Sequence, residues 1–145
     1  MSQITLAQAA VIVDRALEHG RAKNFKPLTV VVLDAGGHMV VMKREDRSSL
    51  LRREIAEGKA WGVLGMGFGG REFQRRAQSG PLFLTALMAA SGGRIVPVPG
   101  GVLIRSGGEI VGSVGISGDT SDNDEACAVA GIKGAGLMAD TGDAA

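Results

Sequence analysis

The sequence has no tyrosine, and only 3% of its 145 residues are aromatic. That removes the stacking platform on which single-stranded nucleic acid is held, so no nucleic-acid partner is expected. There is one cysteine, Cys127. It excludes an internal disulfide and any cysteine cage for zinc or an iron–sulfur cluster. The two histidines, His19 and His38, stand in neither an H-x-x-x-H nor an H-E-x-x-H spacing, and no metal site is expected. A formal charge of +1 supplies no bulk attraction to DNA or to an anionic membrane. The longest uncharged stretch, residues 77–93, is broken by Gln78, Ser79, Gly80 and Pro81 and is no membrane span. No basic-then-apolar leader opens the chain, and a single thiol sits comfortably in a reducing compartment, so the expected location is cytoplasmic.

Glycine, in contrast, is abundant, with 23 copies. This is about twice the usual share of roughly 7%, and it points to tight turns and close backbone packing. Charge is uneven along the chain: residues 1–80 carry 13 Lys and Arg against 8 Asp and Glu, residues 81–145 carry 3 against 7. The two halves can attract one another within a fold or between subunits. The length suits one domain over 1–145 with a core of its own.

Thr5 and Gln8 form a capping-box pattern ahead of an apolar stripe, Leu6, Ala9, Ala10, Val13, Ala16 and Leu17, with Gly20 as the stop. Residues 28–33 are a β-branched run, Asp34-Ala-Gly-Gly37 a tight turn and residues 38–43 a second strand, which together predict a hairpin. Ser48 or Ser49 is expected to cap a helix reaching about Gly65, followed by a short basic helix over 71–78. Pro81 opens a helix over 82–90 that reads as largely buried. Residues 102–105 and 110–116 pair through Gly107-Gly108. A last helix is expected from about Asn123 to Met138, its small residues facing a sheet, with a frayed tail from Asp140. Two hairpins among helices give an α+β domain with helices covering an antiparallel sheet.

Several side chains are candidates for chemistry. His19 lies in the last turn of the first helix, His38 just after the Gly-Gly turn, and either suits a single axial haem ligand. Asp34 reads as a turn former. Arg44, in the run Lys43-Arg-Glu-Asp-Arg47, can fork a carboxylate. Lys59 stands beside Ala60 and Trp61 and reads as an anion anchor or a snorkelling side chain. Asp122, Asp124 and Glu125 open the last helix, where capping is the expected work. Cys127 and most of the methionines (Met39, Met42, Met66, Met88, Met138) read as apolar filler.

Read together, Val30-Val-Val-Leu-Asp-Ala-Gly-Gly-His-Met39, Lys43-Arg-Glu-Asp46, Gly58-Lys-Ala-Trp61, Pro99-Gly-Gly-Val-Leu-Ile104 and Ile110-Val-Gly-Ser-Val-Gly-Ile-Ser-Gly118, with Asp124-Glu125, resemble the GlcG/HbpS-like family, the haem-degrading domain family. The resemblance runs from about Leu6 to Leu137. It implies a profilin-like α/β/α domain with a five-stranded antiparallel sheet, and homo-oligomers. It also implies a small-molecule ligand, haem or another tetrapyrrole first, with Arg44 and Lys59 on the propionates and His38 or His19 on the iron. Two alternatives stand beside it: an isomerase or lyase on a small carboxylate or oxygenated catabolite, with Lys59 or Glu125 catalytic, and a non-catalytic subunit of a catabolic operon.

Overall fold

The computed structural model describes residues 3–143. Helix α1 (Leu6–Ala22) starts on the expected capping box: Thr5 and Gln8 exchange side-chain and backbone hydrogen bonds. It does not stop at Gly20. That glycine is buried against Leu28, and the helix ends at Lys23, one turn later than expected. Strands β1 (Thr29–Asp34) and β2 (Met39–Arg44) form the first hairpin. Helix α2 (Arg52–Met66) then crosses the sheet. Its N-cap is Leu51, without a side-chain bond; Ser48 instead shares a 2.7 Å hydrogen bond with Thr29 of β1, and so is spent on tertiary structure. Helices α3 (Gly70–Ser79) and α4 (Pro81–Ala90) follow. Strands β3 (Gly101–Ser106) and β4 (Glu109–Ser117) turn on Gly107 and Gly108, both left-handed (φ +59° and +83°) as a two-residue hairpin requires. Helix α5 (Ser121–Gly134) and a short strand β5 (Met138–Asp140) complete the order.

The five strands run β2-β1-β4-β3-β5, every neighbour antiparallel. Period-2 alternation sends the two faces of β1 into different layers. Val30 and Val32 join Ile12, Val13, Ala128 and Ile132 beneath α1 and α5. Val31 and Leu33 meet Ala56 and Ala60 of α2 on the other face. The result is the three-layer α/β/α arrangement, α+β in class. The second layer is thin because α2 sits close: a Cβ on Gly115 of β4 would run into the Ala56 carbonyl oxygen.

Several expectations fail here. Residues 138–140 pair with β3 rather than ending a helix, and the following residues are tied down, not frayed: Arg105 bonds Asp140 at 2.8 Å, and Arg71 N–H donates to the Thr141 carbonyl. Ala144 and Ala145 lie outside the described residues. The small residues of α5 make their close approach to a helix, with Gly131 over the Ile12 carbonyl of α1. Helix α4 buries none of its residues; Leu82 and Phe83 stay 85% and 58% exposed. Its apolar composition does not bury it, because α4 packs along one side only, against α3, Met66 and Phe68. Met39, Met42 and Met138 are likewise exposed rather than core filler. Among the described residues no helix is long and apolar enough to cross a membrane.

Candidate functional site

The Asp34 turn is built by its first residue. Asp34 Oδ1 accepts the backbone N–H of Gly36 (2.9 Å) and of His38 (3.0 Å), and His38 Nδ1 lies 3.2 Å from the same oxygen. Burial opposes the charge of this carboxylate, but these hydrogen bonds outweigh it and hold the pKa below its ordinary 3.8. An ionised carboxylate only accepts, so this contact is a hydrogen bond when the His38 proton sits on Nδ1, the tautomer that leaves Nε2 for a ligand. The imidazole is 82% exposed.

The backbone of this turn lies against the Trp61 indole of α2. Trp61 is the shared wall of two open depressions. One, of about 220 Å³, runs between Gly36, Gly37 and Leu64; the other, of about 350 Å³, is lined by Leu51, Glu54, Ile55, Glu57, Arg94 and Val96. The Arg94 guanidinium stacks over the indole at 3.9 Å, a cation–π contact, and its N–H groups make no hydrogen bond among the described residues. Exposed Met39 lies at the turn end of β2, beside this surface.

His19 and Arg44 belong to the opposite end of the hairpin. His19 meets Phe25 edge-on, ring centres 6.3 Å apart. Arg44 pairs with Thr29 across β2 and β1 and lines a polar depression of about 430 Å³ with Arg21, Pro27, Glu45 and Asp46. Arg44 ends β2, which starts one residue after His38, so the two are six residues apart, about 20 Å at the usual rise of roughly 3.4 Å per residue.

Lys59 and Glu125 lie between the layers. Lys59 Nζ, 3% exposed, donates to the Ile116 carbonyl (2.9 Å) and to Asp124 Oδ2 (3.1 Å). Burial pushes the ammonium down and the Asp124 carboxyl up, each shift opposed by the partner's charge. Asp124 also accepts the Asp119 N–H, so it faces inward while Thr120 caps α5 by accepting from Asn123 N–H. Glu125 receives Arg71 through Oε1 at 3.0 Å, and burial raises its carboxyl pKa. Its buried Oε2 has no partner among the described residues. Arg44 makes no hydrogen bond or ion pair with either of these groups among the described residues.

Cys127 is fully buried and its thiol is pushed up to about 12, which makes it inert as a nucleophile. No three of His, Cys, Asp and Glu gather in a metal-holding group among the described residues. Arg94 and Arg71 were not among the expected site residues, and Trp61 was only part of the Gly58–Trp61 motif. An arginine just after Gly92-Gly93 was the available signal for Arg94; Arg71's role depends on α5, some fifty residues away.

The model of the haem-degrading protein HbpS-like family matches residues 4–133. An uncharacterised 15.0 kDa protein of the dhaT-dhaS intergenic region of Citrobacter freundii is 31% identical over 124 residues, 86% of either chain. The corrinoid adenosyltransferase PduO of Citrobacter freundii is 30% identical over 98 residues, 68% of this chain but 29% of that enzyme. A solved complex of PduOC with haem superposes with a TM-score of 0.84 at 25% identity, covering 97% of this chain and 99% of that one. This chain belongs to the HbpS-like family.

Proposed function

We propose that this protein is a cytoplasmic, homo-oligomeric small-ligand-binding protein that binds haem or a related tetrapyrrole, which His38 would ligate and Trp61 would help hold. The observation that carries this reading is an exposed imidazole, its Nδ1 3.2 Å from Asp34, on the turn whose Gly36 and Gly37 line a depression walled by the Trp61 indole. The donor set fits the group: a neutral imidazole suits iron, and Trp61, Leu51, Ile55 and Leu64 offer an apolar face for a ring. Arg94 holds a cation within reach of acidic substituents. A bound ferric tetrapyrrole supplies a Lewis-acidic iron; this chain supplies the imidazole, the wall and the counter-charge. The solved haem complex of PduOC supports the ligand class.

The alternative axial residue, His19, would use Arg44 for the propionates at the other end of the hairpin. Lys59 is already engaged by Asp124, so it serves propionates only if that pair opens. Haem titration of wild type, His38→Ala and His19→Ala separates the two. Saturable, stoichiometric binding lost in His38→Ala alone supports this assignment; loss in His19→Ala alone moves the site to Arg44; no saturable binding by wild type ends the haem reading.

The enzymatic reading, an isomerase or lyase on a small carboxylate, rests on the orphaned Glu125 Oε2 beside the Lys59–Asp124 pair. It requires turnover that Glu125→Gln abolishes with the fold intact.

A further inference from the structure

We propose that Asp34 is the positioning residue of the His38 site: it fixes the imidazole tautomer and sets how tightly, and in which oxidation state, an iron is held. The inference rests on the haem reading above. Three contacts converge on one carboxylate oxygen: the donated N–H groups of Gly36 and His38, and the His38 ring Nδ1 at 3.2 Å. The two backbone bonds hold the carboxylate in place before any ligand arrives. The N-terminal segment adds a further restraint, because Gln3 Oε1 accepts the Ala35 N–H at 2.8 Å. Asp34 itself is only a quarter exposed, whereas the imidazole it faces is 82% exposed. Carboxylate and imidazole therefore form an arrangement in which one partner is fixed and the other offered to solvent.

Turn formation alone needs only the two backbone bonds, as any Asx turn does. The third contact is not needed by the turn and acts on the ring. A carboxylate on the far nitrogen of a metal-bound histidine orients the ring and raises its basicity. Added negative charge next to the ligand favours the more highly charged ferric iron. The exposed contact is weak in water and strengthens once a ligand covers it and lowers the local dielectric.

Asp34→Asn separates the two roles, since the amide oxygen still accepts both backbone N–H groups while the charge is gone. In the wild-type apo-protein, nitrogen NMR should show His38 protonated on Nδ1; Asp34→Asn should shift it toward the Nε2-protonated form usual for free imidazole. Haem affinity should fall about 10–100-fold. The reduction potential of the bound haem should rise. The fold, followed by circular dichroism, should not change. A wild-type His38 found protonated on Nε2 overturns the proposal without any haem present. Wild-type affinity and potential in Asp34→Asn, with binding still lost in His38→Ala, overturn it while leaving the haem reading intact. Failure of wild type to bind haem defeats the haem reading and, with it, this role toward iron.

Discussion

Two acid–base pairs of nearly equal length sit on either side of α2 and do opposite things. Lys59 and Asp124 are 3.1 Å apart with side chains 3% and 1% exposed; His38 and Asp34 are 3.2 Å apart with the histidine 82% exposed. Distance does not tell them apart, but desolvation does. A buried pair has given up its water, and either partner left alone is an uncompensated charge in a low-dielectric interior. An exposed pair contributes little to stability and keeps a face open to a ligand. The first pair joins α2 to α5 across the end of β4, and the second leaves a free ring nitrogen at the rim of the sheet.

The contrast can be broken from its strong side. Lys59→Met should cost about 3–5 kcal/mol in urea unfolding, because Asp124 is left buried and unpaired. Adding Asp124→Leu should recover most of that loss. If the single variant is as stable as wild type, the pair is not desolvated and the comparison fails. A smaller effect comes from the close packing of α2 on β4. Gly115→Ala, which pushes a methyl into the Ala56 carbonyl, should cost about 1–3 kcal/mol by the same assay.

His38→Ala should change stability by no more than about 0.5 kcal/mol, as expected of an exposed side chain. A large loss would mean that the ring holds the hairpin together rather than waiting for a ligand. The smallest effect concerns Asp119, whose carboxylate takes the N–H groups of Lys26 and Thr120 and the Asn123 amide, and whose pKa is therefore held below 3.8. A depressed carboxylate stabilises the fold above its unfolded pKa and loses that contribution as pH falls toward the folded value. The stability gap between wild type and Asp119→Asn should be constant above about pH 5 and close as the solution is acidified below it. A gap unchanged down to pH 2 would show that charge plays no part.

The hairpins were legible because their signals are local: β-branched runs flanking Asp34-Ala-Gly-Gly37 and Gly107-Gly108. The fifth strand of the sheet was expected from the family resemblance, but its residues were not. Met138, Ala139 and Asp140 carry no strand signature and are extended only because Leu103, Ile104 and Arg105 offer an edge to pair with. Helix α4 was misread for a related reason. Its sequence is apolar, but burial depends on what lies alongside, and α4 meets α3, Met66 and Phe68 along one side. At the site, His38 was visible as a residue, and its partner four positions earlier was visible only as a turn former. Lys59 stood out as a lysine in an apolar stretch, yet Asp124 is 65 positions away and nothing in the spacing pairs them. Trp61 and Arg94 come together only when the segment after α4 folds back along α2, with Val96 N–H on the Gly58 carbonyl.

The most direct measurement is a haem titration of the purified apo-protein, read by the Soret band and repeated on His38→Ala and His19→Ala. The account predicts a saturable, stoichiometric band for wild type and His19→Ala and its loss in His38→Ala, with all three proteins equally folded. A band and affinity unchanged in His38→Ala would contradict it.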